Sequence, residues 1–213
     1  MNRTLDWKAR FDERSRGYAI SNSNAMRKPK RSYTWRCVPR LDQGQEGACV
    51  GFGWAHELAA RPVEVPVTAT TAQLLYSSAK QMDEWDGESY EGTSVLAGAK
   101  ATKALGHITE YRWAFTLEEV LRALSWDGPI VIGVNWYEGM EEPDARGFIK
   151  PTGETVGGHC TLLNGINILT NTVRLHNSWG PSWGKNGEAF LTFEDLGKLL
   201  DNDGEACLPI GRK

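Results

Sequence analysis

Gln43-Gly44-Gln45-Glu46-Gly47-Ala48-Cys49-Val50-Gly51-Phe52 is the stretch on which the reading of this chain turns. A glycine-rich loop delivers one cysteine to the start of an expected helix, with a glutamine six residues upstream. A helix start offers unpaired N–H groups and the positive end of the helix dipole, and both favour a thiolate over a thiol. Two later stretches supply what such a sulfur needs: Gly157-Gly158-His159-Cys160 and Asn177-Ser178-Trp179-Gly180. Together they offer a thiol, an imidazole, an amide to orient the imidazole and a second amide to bind an oxyanion. Acyl transfer by a cysteine nucleophile uses that set of parts.

Each part has an assigned role. Cys49 is the expected nucleophile, left open to a carbonyl by the small Gly47 and Ala48. His159 is the expected general base and acid. Asn177 accepts a hydrogen bond from its ring, and Trp179 roofs that bond and excludes water. Gln43 aims an amide N–H at the developing oxyanion, joined by the Cys49 backbone N–H. Taken singly, each residue has a commoner fate. A helix cysteine packs as a small hydrophobe, a strand histidine is simply hydrogen-bonded, and a loop glutamine is solvated. His56, His107 and His176 are read in that ordinary way. The order and context of the four catalytic candidates carry the argument.

Composition narrows the alternatives. A chain of 213 residues with 40 % hydrophobic and 24 % charged residues fits one domain or two lobes around a shared cleft. The net charge of −3 gives no general attraction to nucleic acid or anionic membranes. No apolar run approaches the roughly 20 residues that span a bilayer. The start, Met1 to Trp7, is polar and lacks the apolar core of a secretory signal. The expected location is therefore cytoplasmic or within a virion. Cys37, Cys49, Cys160 and Cys207 form no CxxC pair and no His/Cys cluster with ligand spacing, so neither metal nor cofactor is expected. A Cys37–Cys207 bridge requires the ends of the domain to meet, and reduced thiols are expected instead.

Residues 1–32 read as an N-terminal arm, partly flexible, with a basic run Arg27-Lys28-Pro29-Lys30-Arg31 expected as a solvated tether. The compact domain is expected over 33–213, with a helical lobe at 33–127 and a β-rich lobe at 128–213. Helices are expected at Cys49–Ala60, from Ala72 to about Met82, after a Gly92-Thr93-Ser94 cap through Leu105, and from a Thr116/Glu119 capping box through Leu124. Strands are expected at Ile130–Val134, His159–Leu169, Thr172–Leu175 and Glu188–Phe193, with Asn171 in a tight turn.

The motifs resemble those of the papain-like cysteine peptidases, in the branch of bacteria and bacteriophages. Gln43-Gly44 followed by Gly47-Ala48-Cys49 resembles the family's oxyanion-glutamine and nucleophile motif, and Gly158-His159-Cys160 its histidine motif. Asn177-Ser178-Trp179-Gly180 with Trp183-Gly184 and Asn186-Gly187 resembles its asparagine motif. The resemblance covers about residues 33 to 213 and implies an α+β fold of two lobes. A helical N-terminal lobe and an antiparallel, β-barrel-like C-terminal lobe would enclose the active site in their cleft. It also implies a polypeptide substrate, with Gly92, Gly158 and Trp179 as contacts. Glu91-Gly92-Thr93-Ser94 stands where the family has a glycine-rich cleft wall. Val134, Gly158 and Leu199 to Asp201 are candidate liners of the selectivity pocket.

The chain departs from the family at Glu46, where extracellular members carry a disulfide cysteine, and at Val50, where a tryptophan is usual. Only 48 residues precede Cys49, so control by a long prosegment is not expected. The arm is expected either to cover the cleft or to pack behind the domain. The leading function is hydrolysis of peptide or isopeptide bonds through a thioacyl intermediate, by an enzyme taken as a monomer by default. Two other functions fit parts of the sequence. One is a latent or non-catalytic module of the same fold, such as a phage particle component; the other is a Cys-dependent acyl transferase. No nucleic-acid or membrane partner is expected.

Overall fold

The computed structural model describes residues 4–9, 12–83 and 92–213. Its centre is one antiparallel sheet whose strands are β1 (Tyr33–Thr34), β2 (Glu110–Trp113), β3 (Ile130–Tyr137), β4 (Thr155–Asn167), β5 (Thr172–His176), β6 (Glu188–Thr192) and β7 (Glu205–Ile210). The spatial order is β2-β7-β3-β4-β5-β6, and β1 adds to β4. Among the described residues the α-helices are α1 (Cys49–Ala59), α2 (Ala69–Met82), α3 (Val95–Ala104), α4 (Leu117–Trp126) and α5 (Phe193–Asp201).

Period-two alternation along the central strands divides the interior. Ile130, Ile132 and Val134 of β3 and Leu163 of β4 face one core with α4, α5 and Trp136. Val131 and Leu162 face the other, with α1, α2 and α3. This is the expected α+β arrangement, a helical part against an antiparallel sheet. Ile132 has no exposed surface, so Ile132→Ala is expected to cost about 3 kcal/mol through lost burial and a residual cavity. Urea titration of the two proteins measures it.

Local chemistry accounts for the helix ends. All eleven residues of α1 are buried, as suits a helix enclosed on every side. Helix α4 begins at the expected capping box of Thr116 and Glu119. Helix α2 starts three residues earlier than expected, because Thr68 and Thr71 cap each other reciprocally. Asn171 takes the left-handed turn expected of it, at φ 51°. Strand β2 inside the helical half, and α5 and β7 near the C-terminus, go beyond the elements expected from sequence.

The described residues before 33, 4–9 and 12–32, are part of the packed structure. Three 3-10 turns span Glu13–Tyr18, Ile20–Asn22 and Asn24–Arg27, and Ile20 and Ala25 are buried. The basic run is no solvated tether. Lys28 and Arg31 lie over the Trp126 ring at 4.6 and 3.8 Å, and Lys30 pairs with Glu118 at 2.5 Å. Cation–π contacts and an ion pair of this kind hold a chain that charge alone would leave in water.

Candidate active site

Three elements converge on the site: the N-terminus of α1 with the loop before it, the start of β4, and the turn after β5. Cys49 opens α1, and no side chain caps that helix. His159 lies on β4, opposite Val134 of β3. The sulfur lies against the backbone N–H of Cys160, the residue after His159.

Asn177 and His159 meet as expected. The His159 Nε2 to Asn177 Oδ1 distance is 2.8 Å. The same oxygen accepts the Ser178 N–H at 2.8 Å, so it is an acceptor and the imidazole must donate to it. A neutral His159 therefore carries its lone pair on Nδ1. Trp179 stacks on the ring at 5.1 Å. Trp136, unforeseen from the sequence, closes the edge at 4.8 Å. His159 and Asn177 have no exposed surface, and Trp179 is nearly as buried. In such dry surroundings the bond is stronger than in water.

Gln43 is tied to the same segment. Its N–H donates to the Ser178 carbonyl at 2.9 Å, and its Oε1 accepts from the Ser178 hydroxyl at 2.6 Å. That second bond fixes which end of the amide is the donor. Nε2 then donates to the Glu46 carbonyl at 2.9 Å and to the Thr4 carbonyl at 3.3 Å. Ser178 has no role assigned from sequence, although it sits inside the quoted asparagine stretch.

Thr4 belongs to a strap. Residues 4–9 lie along the cleft between its two walls, with parallel bridges from Asp6 to Gly158 and from Trp7 to Thr93. The Trp7 N–H donates to the Gly158 carbonyl at 2.9 Å, and the Lys8 N–H to the Thr93 carbonyl at 3.2 Å. A Cβ at Gly92 would stand 1.8 Å from the Asp6 carbonyl oxygen, and one at Gly158 2.2 Å from that of Trp7. Only glycine admits backbone so closely at either wall. Gly92 and Gly158 thus both touch an extended peptide, although its source is the chain's own N-terminus. Glu91 of the expected wall lies outside the described residues.

The Trp7 side chain is 3 % exposed. It fills a pocket beside Gly133, where a Cβ would meet its Nε1 at 2.1 Å. Its N–H donates to Glu205 Oε2 on β7 at 3.3 Å. Burial pushes the Glu205 carboxyl up to about 8, against the pull of that N–H. Of the pocket candidates from sequence, Gly158 lies against the Trp7 ring, where a Cβ would stand 2.8 Å from Cε3, and two others lie elsewhere. Leu199 is fully buried on α5 in the sheet core, and Val134 faces that core as well. Glu205 carries no motif, and only the neighbouring strands reveal it.

Burial under the strap pushes the Cys49 thiol up to about 11, although the N–H groups of Cys160, Asp6 and Trp7 oppose the shift. A thiol–imidazole contact lies in the interior, where Cys37 Sγ is 3.8 Å from His176 Nε2. His176 Nδ1 is 3.3 Å from Glu188 Oε1. Burial pushes the Cys37 thiol up to about 12 and lowers His176, which the Glu188 carboxylate partly restores. All four cysteines are free and buried. Among the described residues no group of His, Cys, Asp or Glu has the geometry of a metal site, and no helix is long and apolar enough to cross a membrane.

No family model matches the chain. It is 28 % identical to cathepsin B of Dictyostelium discoideum over 94 residues, 43 % of this chain and 30 % of that protein. It is 22 % identical to an uncharacterized peptidase C1-like protein of Acanthamoeba polyphaga mimivirus over 197 residues, 71 % of this chain and 63 % of that protein. The chain spans less than two thirds of the length of these curated relatives. Among solved structures it resembles xylellain, a cysteine protease from Xylella fastidiosa. The TM-score is 0.75 at 14 % identity, over 98 % of this chain and 96 % of that one. It also resembles procathepsin B S9 from Trypanosoma congolense, with a TM-score of 0.67 at 14 % identity over 99 % and 84 %.

Proposed function

From the papain-like C1 cysteine peptidase fold that this chain has, we propose that it is a thiol peptidase held latent by its own N-terminal strap. The observation that carries this reading is the His159–Asn177 bond at 2.8 Å. Its donor direction leaves Nδ1 as the base of an imidazole roofed by Trp179. In the proposed reaction His159 takes the Cys49 proton and the sulfur attacks the substrate carbonyl carbon. The oxyanion forms against the Gln43 Nε2–H and the Cys49 N–H. His159 returns its proton to the leaving amine as the C–N bond breaks, and a water molecule then hydrolyses the thioacyl enzyme.

Latency follows from what the strap presents. Backbone N–H groups of Asp6 and Trp7 face the sulfur. N–H groups of the strap bond the Gly158 and Thr93 carbonyls, so the strap occupies the cleft that a substrate peptide would need. The Thr4 carbonyl takes up the Gln43 donor that an oxyanion would use. A peptide bearing a thiol-reactive electrophile tests the reading in protein lacking residues 1–9. The adduct is expected on Cys49 and is expected to vanish in His159→Ala. A folded sample that takes up no label at Cys49 refutes it. Release of free acid rather than transfer to an added amine separates hydrolysis from acyl transfer.

A second reading has one observation in its favour, the Cys37–His176 contact at 3.8 Å. There the interior pair would be the dyad. Its place in the permanent core, with the Cys37 sulfur on the His56 carbonyl of α1 at 3.4 Å, weighs against it.

The latch is expected to depend on pH. With the strap closed, Glu205 keeps its proton up to about 8; released into water, it returns toward 4.5. Closure therefore binds a proton. It is favoured fully below the ordinary carboxylate range and weakens as pH rises toward 8. The ratio of Cys49 alkylation rates, full-length over strap-deleted, is expected to rise at least about tenfold between pH 5 and 8. Glu205→Gln should flatten that dependence. A ratio that stays constant in the unaltered pair removes Glu205 from the latch.

A further inference from the structure

Resting on the peptidase reading, we infer that Arg40 is a positioning residue that sets the oxyanion glutamine against the orienting asparagine. The loop leading to Gln43 and the turn after β5 are separate stretches of chain, and turnover needs Gln43 and Asn177 in fixed relation. Several bonds join them near the site: Gln43 N–H to the Ser178 carbonyl at 2.9 Å, Gly180 N–H to the Leu41 carbonyl at 3.1 Å, and the bridge between Asp42 and Trp179. These can slide together unless something anchors both stretches from behind.

Arg40 has the contacts to do so. Its Nη1 donates to the carbonyls of Cys37, Val38 (3.1 Å) and Pro39 (3.2 Å), which gathers the loop just before Gln43. Its Nε donates to the Asn186 carbonyl on the other stretch. The next carbonyl along, that of Gly187, accepts the Asn177 N–H at 2.9 Å. Gly187 has φ 81°, and a Cβ there would stand 2.7 Å from Arg40 Cδ, so the arginine stem lies directly on that backbone. Glu188 holds the guanidinium from its far side, with Nη2 to Oε1 at 3.5 Å. His176, the residue before Asn177, touches the Pro39 carbonyl at 2.9 Å.

A planar fork with several fixed donors suits this task, whereas the single ammonium of lysine cannot reach both stretches in fixed geometry. A displacement of about 1 Å between catalytic groups costs on the order of a hundredfold in rate. Arg174 is the natural control. It also pairs with Glu188, at 2.8 Å, and otherwise lies over the Phe190 ring at 5.4 Å.

The experiment compares Arg40→Gln, Arg40→Lys and Arg174→Gln, each in protein lacking residues 1–9, by steady-state hydrolysis of a fluorogenic peptide. Both Arg40 variants are expected to lose at least about tenfold in kcat with KM within about twofold. Arg174→Gln is expected to keep kcat. If Arg40→Gln does not fold, Arg40→Lys keeps the charge and is read in its place. Equal losses in the Arg40 and Arg174 variants, a loss confined to KM, or no loss overturns the assignment. A strap-deleted protein with native arginines but without turnover or Cys49 labelling sinks the peptidase reading, and Arg40 with it. Turnover that is indifferent to Arg40 sinks the positioning role alone.

Discussion

Removal of residues 1–9 is expected to raise peptide hydrolysis about a hundredfold over the full-length chain. The strap gains from the buried Trp7 indole and from its bonds to Gly158, Thr93, Gln43 and Glu205. Ordering six residues opposes those gains, at roughly 1 kcal/mol each or more. A net docking free energy of about 3 kcal/mol is a reasonable remainder, and it leaves roughly one molecule in a hundred open. Deletion should also bring the thiol down from about 11, because water then reaches the sulfur. Both effects act in the same direction on iodoacetamide alkylation of Cys49. The cut must spare the 3-10 turns, since Ile20 and Ala25 are buried in the fold and their loss would unfold rather than activate. Trp7→Ala in the full-length chain is expected to recover much of the gain without shortening it. Equal rates for intact and trimmed protein would mean that the strap opens freely in solution.

Cys49→Ala is expected to abolish hydrolysis in the strap-deleted protein, with a fall of at least about four orders of magnitude in kcat. Cys37→Ala is expected to leave kcat within about threefold. The contrast decides between the proposed Cys49–His159 pair and the Cys37–His176 contact. Cys37 has a direct sulfur–nitrogen contact, at 3.8 Å. Its sulfur, however, is also directed at the His56 carbonyl of α1, at 3.4 Å, inside the permanent core. Cys49 lies under a removable cover. Removing the strap changes the surroundings of Cys49 and leaves those of Cys37 as they are. Loss of activity in Cys37→Ala with retention in Cys49→Ala would reverse the assignment.

The surroundings of His159 in the candidate site are legible in the sequence because they are built from rare residue types in informative contexts. Asn177-Ser178-Trp179-Gly180 points to the imidazole partner, and the structure brings Asn177 and Trp179 onto His159. Gln43 stands out by its distance before Cys49, and Ser178 explains how its amide is turned. The helices are legible from caps and apolar spacing. Strand β7 is not. Glu205-Ala206-Cys207-Leu208-Pro209-Ile210 contains a proline and begins with a charge, and both discourage an interior strand. The fold accommodates Pro209 at the end of the pairing with β2, beyond the reach of β3, whose register stops at Cys207. Helix α5 carries its own signal in Thr192 and Asp195, which a strand reading of the preceding residues obscures. The strap is hidden for a different reason. Leu5-Asp6-Trp7 is too short to show a period, and its energy lies in a groove assembled from glycines far along the chain. Local pattern carries no record of such a partner.

Strand β7 also sets an order of events. It sits between β2 and β3, pairing Trp113 with Cys207 and Gly133 with Glu205. The sheet therefore closes only when β7, made after the sheet's other strands, has threaded between two made long before it, a connection of high sequence separation and slow formation. Glu205, the acid under the Trp7 indole, arrives only with that strand. On an emerging polypeptide the groove has no finished floor, so neither the latch nor a competing peptide can be gripped before synthesis passes this point. Assembly of the lock and of the keyhole is then a single step.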